Sequence, residues 1–414
     1  MGENNLKFVM YPWLGMGHLT AFLHISNKLA ERVPHVDGLP YGTESTAYVP
    51  APMYTLLRRA MDLTEPAIEA LLQELKPHFV FFDFAHWLPQ MARKLGIKSI
   101  LYFVISPASV GYLFRDESNV DAYKEPPAGF PPSVVKLHTH EARAFHFINN
   151  TKEIGSGIKF VERVIMAAEE CDAMGFKSCR EIEGKYLEFL EKKFKKPVIP
   201  AGPVSPDAPT SRLEKKWAQW LNQFEPKSVI FSTFGSEIRL NMDQFQELVL
   251  GFELTGLPFL AALKPPLEAE TIEEALPEGF KERTAERGVV YGDWMQQQLI
   301  LSHPSVGCFV THCGWSSLSE AMLVLIPHMC DQLINARLMG GDLRAGVEVE
   351  KGDEDGLFTR EGVAQAIRLV MEGDSEIVKE VRANRGKLRE FFMRKELENS
   401  YVDEFVQKLK CLLE

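Results

Sequence analysis

Short runs of β-branched and aromatic residues alternate along this chain with stretches in which apolar side chains recur every three or four residues. That is the pattern of parallel strands covered by helices, an α/β fold. Residues 6–12 (LKFVMYP) read as a buried strand. A turn containing Gly15 and Gly17 follows, then a helix that places Leu19, Phe22, Leu23, Ser26 and Leu29 or Ala30 on one face. Next come a helix near 53–75, strand 78–84, helix 86–95, strand 98–105, helix 157–170 and strand 197–201. Residues 200–213 carry four prolines and read as a linker. Beyond them a second series begins, with strands over 228–234, 258–263, 288–291, 305–311, 324–327 and 347–350. Its helices are expected near 242–254, 317–322, 332–339, 360–372, 376–394 and 402–413. A chain of 414 residues exceeds what one growing core accommodates, so two domains are expected, 1–205 and 206–395. Residues 31–52 are the exception to the alternation. A second strand belongs near residue 35, yet the stretch is all turn and loop signal.

Composition narrows the partners. With 57 acidic and 46 basic side chains the formal charge is -11, which argues against nucleic acid, since phosphate-backbone binding needs clustered cations. Six cysteines without a CxxC pair suit neither a disulfide scaffold nor a zinc ribbon. The first residues lack the basic and apolar regions of a signal peptide, and no apolar run approaches the ~20 residues that span a bilayer. A reducing, cytoplasmic setting is expected, with no membrane span.

Two strand ends in the first half carry chemistry. His18, next to Gly17, sits where the first strand hands over to its helix, and in an open α/β sheet ligands bind outside the carboxyl ends of the strands. A histidine there suits a general base; its plainer reading is a capping or solvated side chain. Asp83 ends HFVFFDF on the same side of the sheet, where a carboxylate orients such a histidine or else caps the helix expected from His86. Phe84, His86 and Trp87 beside it are candidates to line an acceptor pocket. GMGHLT lacks the third glycine of a dinucleotide fingerprint, and no GxSxG elbow supplies a hydrolase nucleophile.

The densest signal is WMQQQLILSHPSVGCFVTHCGWSSLSEAMLVLIPHMCDQ, residues 294–332. The strand VGCFVT ends in His312, Cys313, Gly314, Trp315, Ser316 and Ser317, where an expected helix start offers N–H groups, hydroxyls and an imidazole to a diphosphate. Trp294 offers a flat face to a base, Glu320 suits ribose hydroxyls, and Asp331 with Gln332 suits the hydroxyls of a sugar. The spacing of His303, Cys308, His312, Cys313, His328 and Cys330 matches no zinc pattern, so no metal is expected.

This segment resembles the signature box of plant family 1 UDP-dependent glycosyltransferases, with its order Trp, Gln, His-Cys-Gly-Trp, Ser, Glu, Asp-Gln. YPWLGMGHLTAFL, FFDFAHWLP, STFGSE and ALPEGF extend the resemblance over nearly the whole chain. It implies two facing Rossmann-like domains (GT-B architecture), the first binding acceptor and the second UDP-sugar, with helix 396–414 crossing back to the first. It further implies that Trp294 stacks on uracil and the Met295 backbone bonds it, and that Gln297 and Glu320 hold ribose. His312, Ser316, Ser317 and the Ser236 loop, with Gly17 opposite, would hold the diphosphate, while Trp315, Asp331 and Gln332 face the sugar. His18 would be the base and Asp83 its partner, in metal-independent, inverting transfer. YPWLGMGHL and FDFAHWLP are most similar to the clade that adds a sugar to an existing glycoside. Implied donors are UDP-glucose, UDP-rhamnose or UDP-xylose, and implied acceptors are flavonoid, phenylethanoid or terpenoid glycosides. No cofactor is implied, and a monomer is expected.

The chain departs from that pattern. Ala21 replaces a usual proline, Ser316 replaces Asn or Gly, and the stretch from Glu320 to Asp331 is a few residues short. These gaps, with the empty strand after Arg32, read as mobile segments missing from the chain as written, because losing a core strand costs more than a marginally stable domain absorbs. Were they true deletions, the alternative is a catalytically impaired UDP-sugar-binding protein. A nucleotide-dependent oxidoreductase is the third class, disfavoured by the missing glycine.

Overall fold

The structure, a computed structural model, describes residues 7–12, 36–40, 43, 46, 49, 53–115, 119–153, 155–202, 211–235, 237–314, 322–392 and 394–414. It divides into two compact units: Met1–Pro132 with Phe145–Val204 and Lys395–Glu414, and Ser133–Ala144 with Ser205–Arg394.

In unit 1 the described strands are β1 (Phe8–Tyr11), β2 (Phe79–Phe82), β3 (Lys98–Phe103), β4 (Ala173–Phe176) and β5 (Val198–Pro200), all parallel and paired in chain order. The four residues of β2 are all buried because both faces of the sheet are covered, as parallel sheets require. Val80 and Phe82 face the larger core. Phe79 and Phe81 face the other side, where Phe405 and Leu409 of the C-terminal helix Lys395–Cys411 pack on them. The described residues between 36 and 49 form turns, not a strand, yet Val36, Leu39 and Val49 are buried in the main core. The expected helix over 53–75 is two helices, Tyr54–Asp62 and Glu65–Leu75.

Unit 2 holds β6 (Val229–Thr233), β7 (Phe259–Ala262), β8 (Gly288–Tyr291), β9 (Val306–Thr311), β10 (Met322–Leu325) and β11 (Gly346–Glu348), in the order β11-β10-β9-β6-β7-β8. From β6 the chain moves outward through β7 and β8. It then returns to the other side of β6 as β9 and moves outward again through β10 and β11. The strand order therefore reverses between β6 and β9, which places the ligand-binding crevice of a doubly wound sheet at their carboxyl ends. The helix expected over 317–322 falls on residues outside those described, except Met322, which opens β10 instead. Only the ten residues 312–321 connect parallel neighbours β9 and β10, near the lower limit for a crossover.

One boundary differs from the sequence reading of domain 1–205: residues 133–144 belong to unit 2. Their polar groups find partners there. Thr139 donates to Asp353 Oδ2 (2.6 Å), Glu141 accepts from Arg337 (2.6 Å), and Val134 N–H donates to Asp342 (3.1 Å). Among the described residues no helix is long and apolar enough to cross a membrane.

Gly307 is the extra residue of a bulge between β9 and β6, where Val229 pairs with Val306 and Ile230 with Cys308. A Cβ there would lie 2.3 Å from the Lys227 carbonyl oxygen and 2.7 Å from the Met371 thioether. Gly307→Ala is expected to destabilise unit 2 by about 1–3 kcal/mol through this overpacking, read as a lower denaturant midpoint; an unchanged midpoint refutes the crowding.

Candidate active site

At the reversal point, β6 runs into Phe234 and Gly235, and β9 into His312, Cys313 and Gly314, with Thr233 and Thr311 in register. Gly235 (φ 69°) and Cys313 (φ 70°) both take left-handed backbone, which turns the chain sharply off the strand ends. The His312 ring is packed by the two glycines: a Cβ at 235 would fall 3.0 Å from its Cε1, and one at 314 would fall 2.9 Å from its Nε2. The ring's edge meets Phe234, 6.3 Å between centroids. Burial pushes the imidazole down to about 4, against a smaller opposing pull from the Thr233 backbone, so it is neutral near pH 7. A neutral ring in this cradle offers an N–H donor without adding a charge.

The turn is tied to the next element by one buried amide. Asn335 Nδ2 donates to the Cys313 carbonyl (3.0 Å) and to Asp331 Oδ2 (3.0 Å). Asp331 and Gln332 open the helix Asp331–Arg337, and Gln332 Oε1 accepts from the backbone N–H groups of His328 (3.1 Å) and Met329 (3.2 Å). The Gln332 oxygen is engaged by the chain, so its amide nitrogen is the end suited to a ligand. Trp294 lies in the loop after β8, not on the strand itself, and is 77 % exposed. Met295 beside it is buried in the core that also holds Cys313. Gln297 opens the short helix Gln297–Leu301, its N–H donating to the Met295 carbonyl (2.8 Å). The structure thus ties the turn that carries His312 to the helix that opens with Asp331 and Gln332, through the Cys313 carbonyl and Asn335. Ser236, Trp315, Ser316, Ser317 and Glu320 lie outside the described residues, as do Gly17 and His18 in unit 1.

In unit 1, Asp83 follows β2 and is buried, and its carboxylate accepts from the Phe84 N–H (2.9 Å). It does not cap the following helix, which runs Leu88–Lys94 with Trp87 at its N-cap and no side-chain cap. Tyr11, at the end of β1, is held above its ordinary phenol range by burial, with the carboxylates of Asp62 and Asp83 adding to the effect. Phe84 packs on Phe160 at 5.3 Å. Trp87 donates its indole N–H to Asp62 (3.0 Å), and Arg163 meets His86 Nδ1 at 2.9 Å. All three acceptor-site candidates therefore stand beside Asp83 on a turn already braced from behind. Among the described residues no group of three or more His, Cys, Asp or Glu side chains is placed to hold a metal ion.

Sequence reasoning missed Asn335 and Arg163. Asn335 left no local signal, because its two acceptors are 22 residues and one helical turn away. Arg163 did leave one: it occupies an inward position of an otherwise apolar helical stripe, described below.

A family model described as "UDP-glucoronosyl and UDP-glucosyl transferase" matches residues 266–382. The chain is 51% identical over 458 residues to cyanidin 3-O-galactoside 2''-O-xylosyltransferase from Actinidia chinensis var. chinensis, covering all of both chains. It is 47% identical over 449 residues to anthocyanidin 3-O-glucoside 2''-O-glucosyltransferase from Ipomoea nil, covering 98% of this chain and 97% of that one. Among solved structures, UGT2 of Phytolacca americana with UDP-2fluoro-glucose and pterostilbene aligns at TM-score 0.75 and 21% identity over 99% of this chain and all of that one. This likeness shows the fold, the two-domain GT-B class. The first alignment has 458 positions against 414 residues here, so 44 positions have no counterpart in this chain.

Burial also holds His328 well below its ordinary value, with Lys351 and His312 adding to the effect. Unfolded, both imidazoles protonate below about pH 6.5, whereas folded they resist it. Stability from this source is therefore present above pH 6.5 and lost as pH falls toward 4. The unfolding midpoint of unit 2 is expected to fall through that window, less steeply in His312→Gln. An equally steep fall in the variant refutes the assignment to His312.

Proposed function

The chain belongs to the plant family 1 UDP-dependent glycosyltransferases, and from that premise we propose an inverting transfer of a sugar from a UDP-sugar to a sugar hydroxyl of a flavonoid-type glycoside. The observation that supports the donor half is the cradle at the β6/β9 reversal, a neutral His312 between two glycines, whose following residue Cys313 is linked through Asn335 to Asp331. In this reading Trp294 stacks on uracil, the Met295 backbone bonds it, and Gln297 with Glu320 holds ribose. His312, Ser316, Ser317, Ser236 and Gly17 surround the diphosphate, while Asp331, Gln332 and Trp315 face the sugar. Donor and acceptor follow the relatives, which transfer xylose or glucose to the 2'' position of anthocyanidin 3-O-glycosides. UDP-xylose and UDP-glucose are therefore the first donors to test, with UDP-rhamnose after them.

The acceptor hydroxyl attacks the anomeric carbon from the face opposite UDP. The new C–O bond forms as the C–O bond to diphosphate breaks, and UDP leaves with the electron pair. His18 takes the hydroxyl proton, and Asp83 stabilises the imidazolium that results. Positioning and stabilisation of the departing diphosphate supply most of the rate, so no metal is needed. The buried Asp83 at a strand end supports its role, because a carboxylate shielded from water acts strongly on a nearby charge. The protein works as a monomer in the cytoplasm in this reading. Four of its six cysteines, Cys171, Cys179, Cys308 and Cys313, are buried singly in the cores, which supports a reducing compartment.

His18→Ala is expected to leave UDP affinity nearly intact and lower transfer at least ~100-fold, the scale of lost base catalysis; unchanged turnover removes His18 from the mechanism. The substrate reading is tested by crossing UDP-xylose, UDP-glucose and UDP-rhamnose with cyanidin, cyanidin 3-O-galactoside and cyanidin 3-O-glucoside, read by mass. Sugar added to the glycosides alone supports it, and sugar added to free cyanidin alone overturns it.

A further inference from the structure

The helix Phe160–Glu170 turns Arg163, Val164, Ala167 and Ala168 inward, so a guanidinium stands where the spacing calls for hydrocarbon. Such burial is tolerated only when the charge is paired and each N–H bonded. Arg163 is 1 % exposed. Its Nε and one terminal nitrogen donate to Glu153 (2.8 and 2.5 Å). Both terminal nitrogens reach Asp62 (2.6 and 2.9 Å). The second also meets the Phe84 carbonyl (3.0 Å) and His86 Nδ1 (2.9 Å). These six contacts share five hydrogens, so one hydrogen is bifurcated. Arg58, 2.5 Å from Glu153, makes the cluster two cations against two carboxylates.

Salt bridging alone does not require the last two contacts. Phe84 and His86 belong to the turn that leaves Asp83, and Trp87 of the same turn is held by Asp62, the other partner of Arg163. A guanidinium only donates, so Nδ1 of His86 must accept, and the ring carries its proton on Nε2. Burial and the Arg163 charge both disfavour protonation of the ring, against Asp62 and Glu153.

We propose that Arg163 is a positioning residue for transfer: it fixes the turn from Phe84 to Trp87 behind Asp83 and commits His86 to presenting an Nε2–H donor to a hydroxyl of the acceptor's sugar. This rests on the function proposed above. A neutral, oriented N–H suits a sugar hydroxyl, which must keep a lone pair for the donor while its neighbours are held in register.

The test uses the full chain with UDP-xylose and cyanidin 3-O-galactoside, or whichever pair the panel shows to be used. His86→Ala is expected to raise acceptor KM about 10-fold, with a smaller change in kcat, on the scale of one lost hydrogen bond. His86→Gln, whose amide oxygen can accept from Arg163 while its nitrogen donates, is expected to recover most of that loss. Arg163→Lys keeps the charge but not the fork, and is expected to lower kcat about 10- to 100-fold with UDP affinity unchanged. The 15N imidazole signals of wild type, assigned by the His86 variants, are expected to show the Nε2–H tautomer at pH 7. Acceptor KM unmoved in His86→Ala, no recovery in His86→Gln, or a proton on Nδ1 overturns the proposal. If Arg163→Lys loses UDP affinity and fold together, the His86 pair and the tautomer decide alone. Asp83→Asn is run beside them: if it keeps full turnover, the role given to Asp83 fails, and that failure is separate from the outcome at His86.

Discussion

Two parallel strands that lie side by side while their connections depart in opposite directions leave a gap that no crossover covers, and β6 and β9 stand in that relation. Both strand ends need sharp exits, met by left-handed backbone at Gly235 and Cys313. The exits bring two backbones so close to the His312 ring that side chains at 235 and 314 have no room. The cradle thus follows from strand order, and its chemistry follows from which residues occupy the two exits. Asn335 extends the same constraint one element further, joining the exit of β9 to the helix that begins with Asp331 and Gln332.

Each unit also buries a guanidinium clamp. In unit 1 Arg163 joins Asp62, Glu153 and the turn after Asp83; in unit 2 Arg337 joins Glu141 and Glu348. Buried ion pairs are weak evidence for stability, since desolvation offsets much of their attraction. Their geometric demands are stricter: a forked donor is satisfied in one arrangement of its partners, so each clamp selects one placement of the segments that meet there. One segment at each clamp carries candidate site residues: the turn from Phe84 to Trp87 in unit 1, and the helix that opens with Asp331 and Gln332 in unit 2.

Much of this was legible beforehand. Strands rich in valine, isoleucine and phenylalanine, such as β2, β6 and β9, were readable because hydrocarbon buried on both faces leaves a continuous run. β4 was not, because Ala173, Met174 and Gly175 have weak strand preference. Gly175 is there for contact, since a Cβ would lie 2.6 Å from the Tyr102 ring. The order of His312, Asp331 and Gln332 along the chain pointed to a site, but the amide that connects them is set by tertiary placement alone. The strand position expected near residue 35 lies outside the described residues; those described between 36 and 49 include no strand, and Val36, Leu39 and Val49 enter the core. Arg163 was visible as an outlier on its helical stripe, and only the fold shows what surrounds it.

The docking of residues 133–144 on the second unit bears on how such enzymes are recombined. A chimera that exchanges everything after the proline-rich linker looks like a clean swap of one half, yet it separates Glu141 from Arg337 and Thr139 from Asp353. The graft would inherit a host strap whose charges answer a different surface, next to the helix that begins with Asp331 and Gln332. The module boundary of this chain is therefore discontinuous, and its second unit travels intact only with the short piece of chain that precedes it by some sixty residues.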